Sequence, residues 1–351
     1  MQGFWHGRRV LVTGHTGFKG VWLTLWLQRL GAEVHGLALP PGSSPSLYEL
    51  VSPWDADRFH FLDIRNAEAV RKAVDAANPE IVFHLAAQAL VRSAYREPVE
   101  AIATNVLGTA HVLDAIRHTA SVQAAVIVTT DKVYENPETG HPFVETDRLG
   151  GKDPYSNSKA CSELVTQCFI DSYFKPAKRP AVATARAGNV VGGGDWSTDR
   201  LIPDVVRAWS AGEKVSVRYP QAVRPWQHVL EPVAGYMTLA RKLIERPQEA
   251  PTAVNFGPDP DNFLTVADVL GLIDTAIQGR GWEQAPGQHP PEAASLTLDS
   301  SLAATSLAWK PRLTKQETFT WTANWYRDYS GGASARDLVL QQIEHYEARL
   351  V

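Results

Sequence analysis

The chain has 351 residues, of which 44% are hydrophobic and 21% charged, with a formal net charge of -4 at pH 7. Such a length predicts one large or two intimate domains around a sizeable core. The scattered charges exclude the basic stripe that nucleic acid requires and the polybasic face that anionic lipid attracts, so small-molecule chemistry is expected. The opening MQGFWHGRR lacks an apolar targeting stretch, and no apolar run reaches the roughly 18 residues of a spanning helix, which predicts a cytoplasmic protein with no membrane partner. Cys161 and Cys168 lie in a helix-like segment without CxxC spacing or a histidine partner; they read as packing residues, with neither disulfide nor metal expected.

In chain order, hydrophobic periodicity predicts a strand over 9–13, a helix over 17–30 carrying Trp22, Leu23, Leu25, Trp26 and Leu30 on its buried side, and a strand over 33–39. The alternation continues with a strand over 58–62, a helix over 67–77, a strand over 80–85, a helix over 99–118, a strand over 124–129, a helix over 156–173 and a strand over 181–186. Repeated β-α units imply an α/β fold whose doubly wound parallel sheet is covered on both faces. Beyond Arg186, Gly192 to Gly194 and a run of prolines break the rhythm into shorter elements. The expected division is a dinucleotide-binding domain over 1–187, with 224–257 returning to it. A substrate lobe over 188–223 and 258–330 and a terminal helix within 331–351 complete it.

Thr13-Gly14-His15-Thr16-Gly17-Phe18-Lys19-Gly20 is a GxxGxxG turn between a predicted strand and a predicted helix. Glycines there let the backbone approach a pyrophosphate, and the helix start offers unpaired N–H groups. Leu39-Pro40-Pro41 stands where an acid would grip the ribose, and no arginine there suits a 2'-phosphate, so the residues leave NAD and NADP open. Asp63, at the end of the third strand, is placed to accept from an adenine amino group or to cap the helix that follows. Tyr155 and Lys159 form YxxxK at a helix start, where residues four apart share a face. A phenol with an ordinary pKa near 10 needs an adjacent ammonium, and a cationic nicotinamide, to act as a base at neutral pH.

These motifs, with Asp63, His84-Leu85-Ala86-Ala87-Gln88, Asn105 and Thr130, resemble the extended short-chain dehydrogenase/reductases, a Rossmann-like family. The resemblance implies cofactor contacts from Gly14, Thr16, Gly17, Phe18, Asp63, Ile64, Ala86, Gln88, Asn105, Tyr155 and Lys159. It also implies a homodimer built on the helices after Asn105 and Tyr155. Three stretches, 130–136 (TDKVYEN), 186–196 (RAGNVVGGGDW) and 224–232 (RPWQHVLEP), are similar to the CDP-glucose 4,6-dehydratases within that family, as are Lys19 and His289-Pro290-Pro291-Glu292-Ala293. That subgroup implies NAD as cofactor and CDP-glucose or a related nucleotide sugar as substrate.

Water is lost from C5 and C6 of a hexose only after C4 is oxidised, because the ketone acidifies C5–H; the stored hydride then returns to C6. In the resembling family Thr130 and Tyr155 hold the reacting hydroxyl and Lys159 binds the nicotinamide ribose. Asp131 follows as general acid, which requires a raised pKa, and Lys132 stands where many relatives carry a glutamate base, with Glu135 as a second candidate. Arg224 beside Trp226, Arg200 with Leu201, Asn189, His228 and Glu292 are the expected substrate contacts. Dehydration of a different nucleotide sugar and 4-epimerisation are the competing reactions, and Asp131 with Lys132 argues against the second. A cofactor-sensing protein without catalysis is disfavoured by the intact Thr130, Tyr155 and Lys159.

Overall fold

Continuous burial along the central strands decides the architecture. In the computed structural model, which describes residues 2–174, 180–259, 263–277, 279–287 and 296–350, seven parallel strands form the central sheet. They are β1 (Arg9–Thr13), β2 (Glu33–Ala38), β3 (Phe59–Phe61), β4 (Ile81–His84), β5 (Ala124–Val128), β6 (Ala181–Ala187) and β7 (Ala253–Phe256), in spatial order β7-β6-β5-β4-β1-β2-β3. Val10, Val12, Phe83 and Val126 face one core together with Trp22, Leu25 and Trp26 of α1 (Phe18–Arg29). Their neighbours Leu11, Val82, Ala125 and Ile127 face a second core with Val70 and Val74 of α2 (Ala67–Ala77) and Val112 and Ile116 of α3 (Gly108–His118). Successive side chains point to opposite faces, so strands apolar on both sides need helices on both sides.

The expected strands and helices of the first half are present, with one difference. The helix expected over 99–118 is broken into Pro98–Ile102, a π-helical turn Ala103–Leu107 and α3, and a separate short helix, Val91–Arg96, precedes it. Side-chain hydroxyls compete for the backbone at the break: the carbonyl of Asn105 accepts from Thr109 Oγ1 at 2.6 Å and from Ser162 Oγ at 2.7 Å. α4 (Pro154–Ser172) starts where Asp153 caps it, accepting from Ser156 N at 3.0 Å, with Pro154 at its first position.

After β6, pairs 190–191 with 227–228, 223–225 with 263–265, and 215–217 with 282–284 form small sheets over the ends of the main strands. α5 (Leu230–Glu245) then leads back to β7, which pairs with β6. The chain ends in α6 (Lys315–Ser330) and α7 (Ala335–Glu347), the latter tied to α1 by a Trp26 Nε1 to Glu347 bond of 2.8 Å. Both cysteines are free, and Cys168 faces outward rather than packing. Among the described residues no helix is long and apolar enough to cross a membrane.

Candidate active site

The C-terminal ends of β1, β4, β5 and β6 converge on one region, where an open parallel sheet leaves a crevice. β1 runs into Gly14, which has a φ of +77°; a Cβ there would lie 2.7 Å from the Ala86 nitrogen. One turn later a Cβ on Gly20 would lie 2.1 Å from the Gly14 carbonyl oxygen. α1 begins at Phe18 with no side chain capping it, so its first N–H groups face the turn without an internal partner. Thr16 spends its hydroxyl on the Leu39 carbonyl at 2.8 Å. This cradle fits a pyrophosphate.

Neighbouring motif residues hold the cradle in place. Thr13 Oγ1 contacts His84 Nδ1 at 2.7 Å and accepts from Ala86 N at 3.1 Å, while His84 Nε2 meets Thr109 Oγ1 at 3.0 Å. Burial pushes His84 down to about 3, so it is a neutral structural link. Asn105 Oδ1 accepts from Gln88 N at 2.8 Å, and its Nδ2 donates to the Gln88 carbonyl and to Ser158 Oγ, which commits the whole amide. Gln88 keeps a buried Oε1 without a partner among the described residues. Asp63 is clamped by Arg65, with Oδ2 2.5 Å from Nη2, which holds its carboxyl below the usual range. The capping role weighed for Asp63 belongs to Asn66, whose Oδ1 accepts from Ala69 N at 3.0 Å. Ile64 is buried against Gly108, where a Cβ would come within 2.5 Å of its Cδ1.

β5 delivers the reactive group. Thr130, Asp131 and Lys132 follow its end: Asp131 Oδ1 accepts from Thr130 Oγ1 at 2.9 Å and from Lys132 Nζ at 3.1 Å. Asp131 is completely buried, and its Oδ2 has no hydrogen-bond partner among the described residues. The Lys132 side chain remains 31% exposed. On α4 the buried Tyr155 is hydrogen bonded to Thr130. Burial pushes its phenol above the ordinary value, with the Thr130 bond and the Arg200 charge opposing; the lowering expected from an adjacent ammonium does not dominate. Lys159 Nζ donates to the Val128 carbonyl at 3.0 Å, and burial lowers it to about 8 against the pull of Glu163. Glu135 is paired with Arg148 at 3.0 Å and lies at the surface.

One residue of this cluster was quoted for its motif but given no role: Lys19. Burial first, then the charges of Arg200 and Lys159, lower it to about 7, and it also feels Asp131 and Lys132. Its ammonium lies 6.0 Å from the ring centre of Tyr236. The available signal was a charged side chain inside the glycine-rich turn.

The expected substrate contacts divide. Arg200 reaches over the site, its Nη2 3.4 Å from the Ala89 carbonyl, and leads into the helix beginning at Leu201. Asn189 holds a buried Oδ1 with no partner among the described residues, and Arg224 Nη1 donates to the Val223 carbonyl at 2.8 Å. Of the two roles read for His228, substrate contact and buttress, its full burial between Trp22 and Trp321, each 5.8 Å away between ring centres, fits the buttress. Trp226 is likewise buried, donating to the Leu264 carbonyl, and is no shelf beside Arg224. The glycines of GGGDW serve packing, because a Cβ on Gly193 would lie 1.9 Å from Trp325 Cγ. Glu292 and its motif lie outside the described residues. A cleft of about 640 Å³ between α1, α5 and α7, lined by Arg29, Arg241, Trp309 and Arg312, contains none of these residues.

Comparison with known proteins agrees with this geometry. The CDP-glucose 4,6-dehydratase of Salmonella typhimurium is 42% identical over 350 residues, 98% of each chain. The human dTDP-D-glucose 4,6-dehydratase is 26% identical, over 92% of this chain and 90% of that protein. Two solved structures share the fold. An epimerase from Methanothermobacter thermautotrophicus has a TM-score of 0.81 at 24% identity, covering 94% of this chain and 95% of that one. The Streptomyces venezuelae dTDP-glucose 4,6-dehydratase with NAD and TYD bound has a TM-score of 0.76 at 22% identity, covering 92% and 98%. The family described as NAD dependent epimerase/dehydratase matches residues 10–257. With its glycine cradle, its tyrosine and lysine on α4 and this match, the chain belongs to the NAD dependent epimerase/dehydratase family, the extended short-chain dehydrogenase/reductases.

Proposed function

We propose that the chain is a CDP-D-glucose 4,6-dehydratase, converting CDP-D-glucose into CDP-4-keto-6-deoxy-D-glucose. The observation that carries this reading is the buried Asp131 between Thr130 and Lys132, beside Tyr155. Oxidation at C4 alone needs only the tyrosine and its lysine, whereas elimination needs a further acid and base. The full-length 42% identity to a CDP-glucose 4,6-dehydratase supports the same substrate.

NAD fits the turn built on Gly14, Thr16, Gly17 and Phe18, with Asp63, Ile64, Ala86, Gln88 and Asn105 lining or bracing the rest of its cleft. When bound, it supplies a reversible hydride store. Tyr155 takes the proton of the C4 hydroxyl while the Thr130 hydroxyl holds that oxygen, and the Lys159 ammonium favours the phenolate and grips the nicotinamide ribose. Lys132 takes the C5 proton, and Asp131 gives a proton to the departing C6 oxygen, so water leaves. As hydride returns to C6, the Lys132 ammonium gives the proton back to C5, and the proton that Tyr155 took restores Asp131 through the Thr130 hydroxyl, which is bonded to both. Arg200, Leu201, Arg224 and Asn189 hold the nucleotide diphosphate.

The substrate lobe of this reading is 188–223 with 258–330, closing on a cofactor domain of 1–187 plus 224–257. Exposed Val99, Ile102, Leu107 and Leu164 on the broken helix and α4 support a homodimer through those helices. The free cysteines and a nicotinamide cofactor suit the cytoplasm. CDP-glucose deuterated at C4 tests the reaction: deuterium recovered at C6 of a 4-keto product is expected. A product that keeps its C6 hydroxyl, or no conversion, refutes it.

A further inference from the structure

Behind the reactive residues lies a buried polar hub that the chemistry above does not use. Glu163 follows Lys159 by one turn of α4 and is 4% exposed. Its carboxylate accepts from Thr129 Oγ1, from Thr184 Oγ1 at 2.7 Å, and from Arg186 Nε and Nη2, both at 2.9 Å. Arg186, 3% exposed, carries the network onward through Nη1 to Tyr134 Oη at 2.7 Å and to the Glu145 carbonyl at 3.0 Å. Tyr134 in turn donates to Asn255 Oδ1 of β7 at 2.7 Å, and Asn255 N donates to Glu145. One carboxylate thus ties α4 to the ends of β5 and β6, and its arginine extends the tie to β7 and the 131–135 turn. Thr129 is adjacent to Thr130, and Arg186 stands three residues before Asn189.

We propose that Glu163, with Arg186, is a positioning residue of the reaction, holding the helix that bears Tyr155 and Lys159 in register with the strand ends that bear Thr130 and Asp131. A buried pair of this kind contributes little net stability against well-packed apolar groups, so what it contributes here is a constraint on geometry. Glu163 also acts on the charge of Lys159: it is the neighbour that favours the ammonium, while burial disfavours it. Lys19 from α1 repels Lys159, His84 from β4 faces it as a neutral ring, and Tyr155 shares its helix. The inference rests on the reading of Tyr155 and Lys159 as the redox pair.

Glu163→Gln removes the charge and keeps the shape. Its kcat is expected to fall about tenfold to a hundredfold, with KM for CDP-glucose nearly unchanged. Lys159 must stay charged, and it loses the anion that raises its pKa. The alkaline fall in kcat and in NAD affinity therefore moves about one pH unit lower. Glu163→Asp, which retains the anion, keeps that limb near its original position. Because Glu163→Gln leaves Arg186 unpaired, the double variant Glu163→Gln, Arg186→Met is the control that keeps the fold while removing the hub. Parent-like kcat and an unmoved limb in either folded variant overturn the proposal, as does failure of both to fold, which makes the pair a folding requirement. NAD affinity against pH is read by fluorescence titration without substrate. A parent protein that binds NAD but leaves CDP-glucose unchanged therefore refutes the substrate assignment, while the binding curves still decide on Glu163.

Discussion

Asp131 shows what single residues contribute and what they conceal. Its neighbours Thr130 and Lys132 are legible as a triplet after an apolar strand, but the fate of its two oxygens is not: one is shared between Thr130 and Lys132, and the other is buried with no partner among the described residues. An unsatisfied buried carboxylate oxygen is costly, which is reasonable where a substrate oxygen completes the bond. Asp131→Asn is isosteric and lacks the transferable proton. Turnover is expected to fall about a hundredfold to ten-thousandfold while C4 oxidation continues. Stopped-flow absorbance would then show reduced nicotinamide accumulating in the presence of CDP-glucose; turnover at the parent rate contradicts the acid role. Lys19 marks the opposite case, a residue visible in the motif whose surroundings are contributed by other elements. His228 and Trp226 were attractive as ligand groups by residue type, yet both are enclosed, because helices from the far end of the chain pack over them.

At the scale of elements, the glycine turn and α1 were readable because their constraints are local. Gly20 admits no side chain, since the obstacle is the Gly14 backbone and not a flexible tip. Gly20→Ala is expected to cost about 1–3 kcal/mol of stability, the scale of core overpacking. It should also weaken NAD at least about tenfold, checked by thermal melting and fluorescence titration. Normal affinity would remove the cradle from the cofactor site. The break at Asn105 was not readable, because apolar periodicity runs through it and the competing hydroxyl of Ser162 comes from another helix. In the sequence the three glycines of GGGDW only break the β-α rhythm. Their reason is contact with Trp325 on α6, and with Trp22, whose Nε1 donates to the Gly193 carbonyl at 3.1 Å.

At the scale of the whole molecule, apolar side chains of the broken helix and α4 stand exposed in the protomer. Leu107 is 55% and Leu164 59% exposed in the protomer. If they meet a second copy, Leu107→Asp with Leu164→Asp should weaken the dimer by about 2 kcal/mol or more, the scale of a hot-spot truncation. Protomer melting should change little. Light scattering after size exclusion checks this, and a parent protein that runs as a monomer contradicts it. The amino-acid sequence by itself determined the β-α order, the cofactor turn and the grouping of Thr130, Asp131, Lys132, Tyr155 and Lys159, because periodicity, glycine spacing and short motifs act within a few residues. Only the tertiary structure decided which side chains face the crevice, that Lys19 joins Arg200 there, and that Glu163 and Arg186 brace it from behind. Burial and partnership are set by elements distant along the chain, and those distances carry no local pattern.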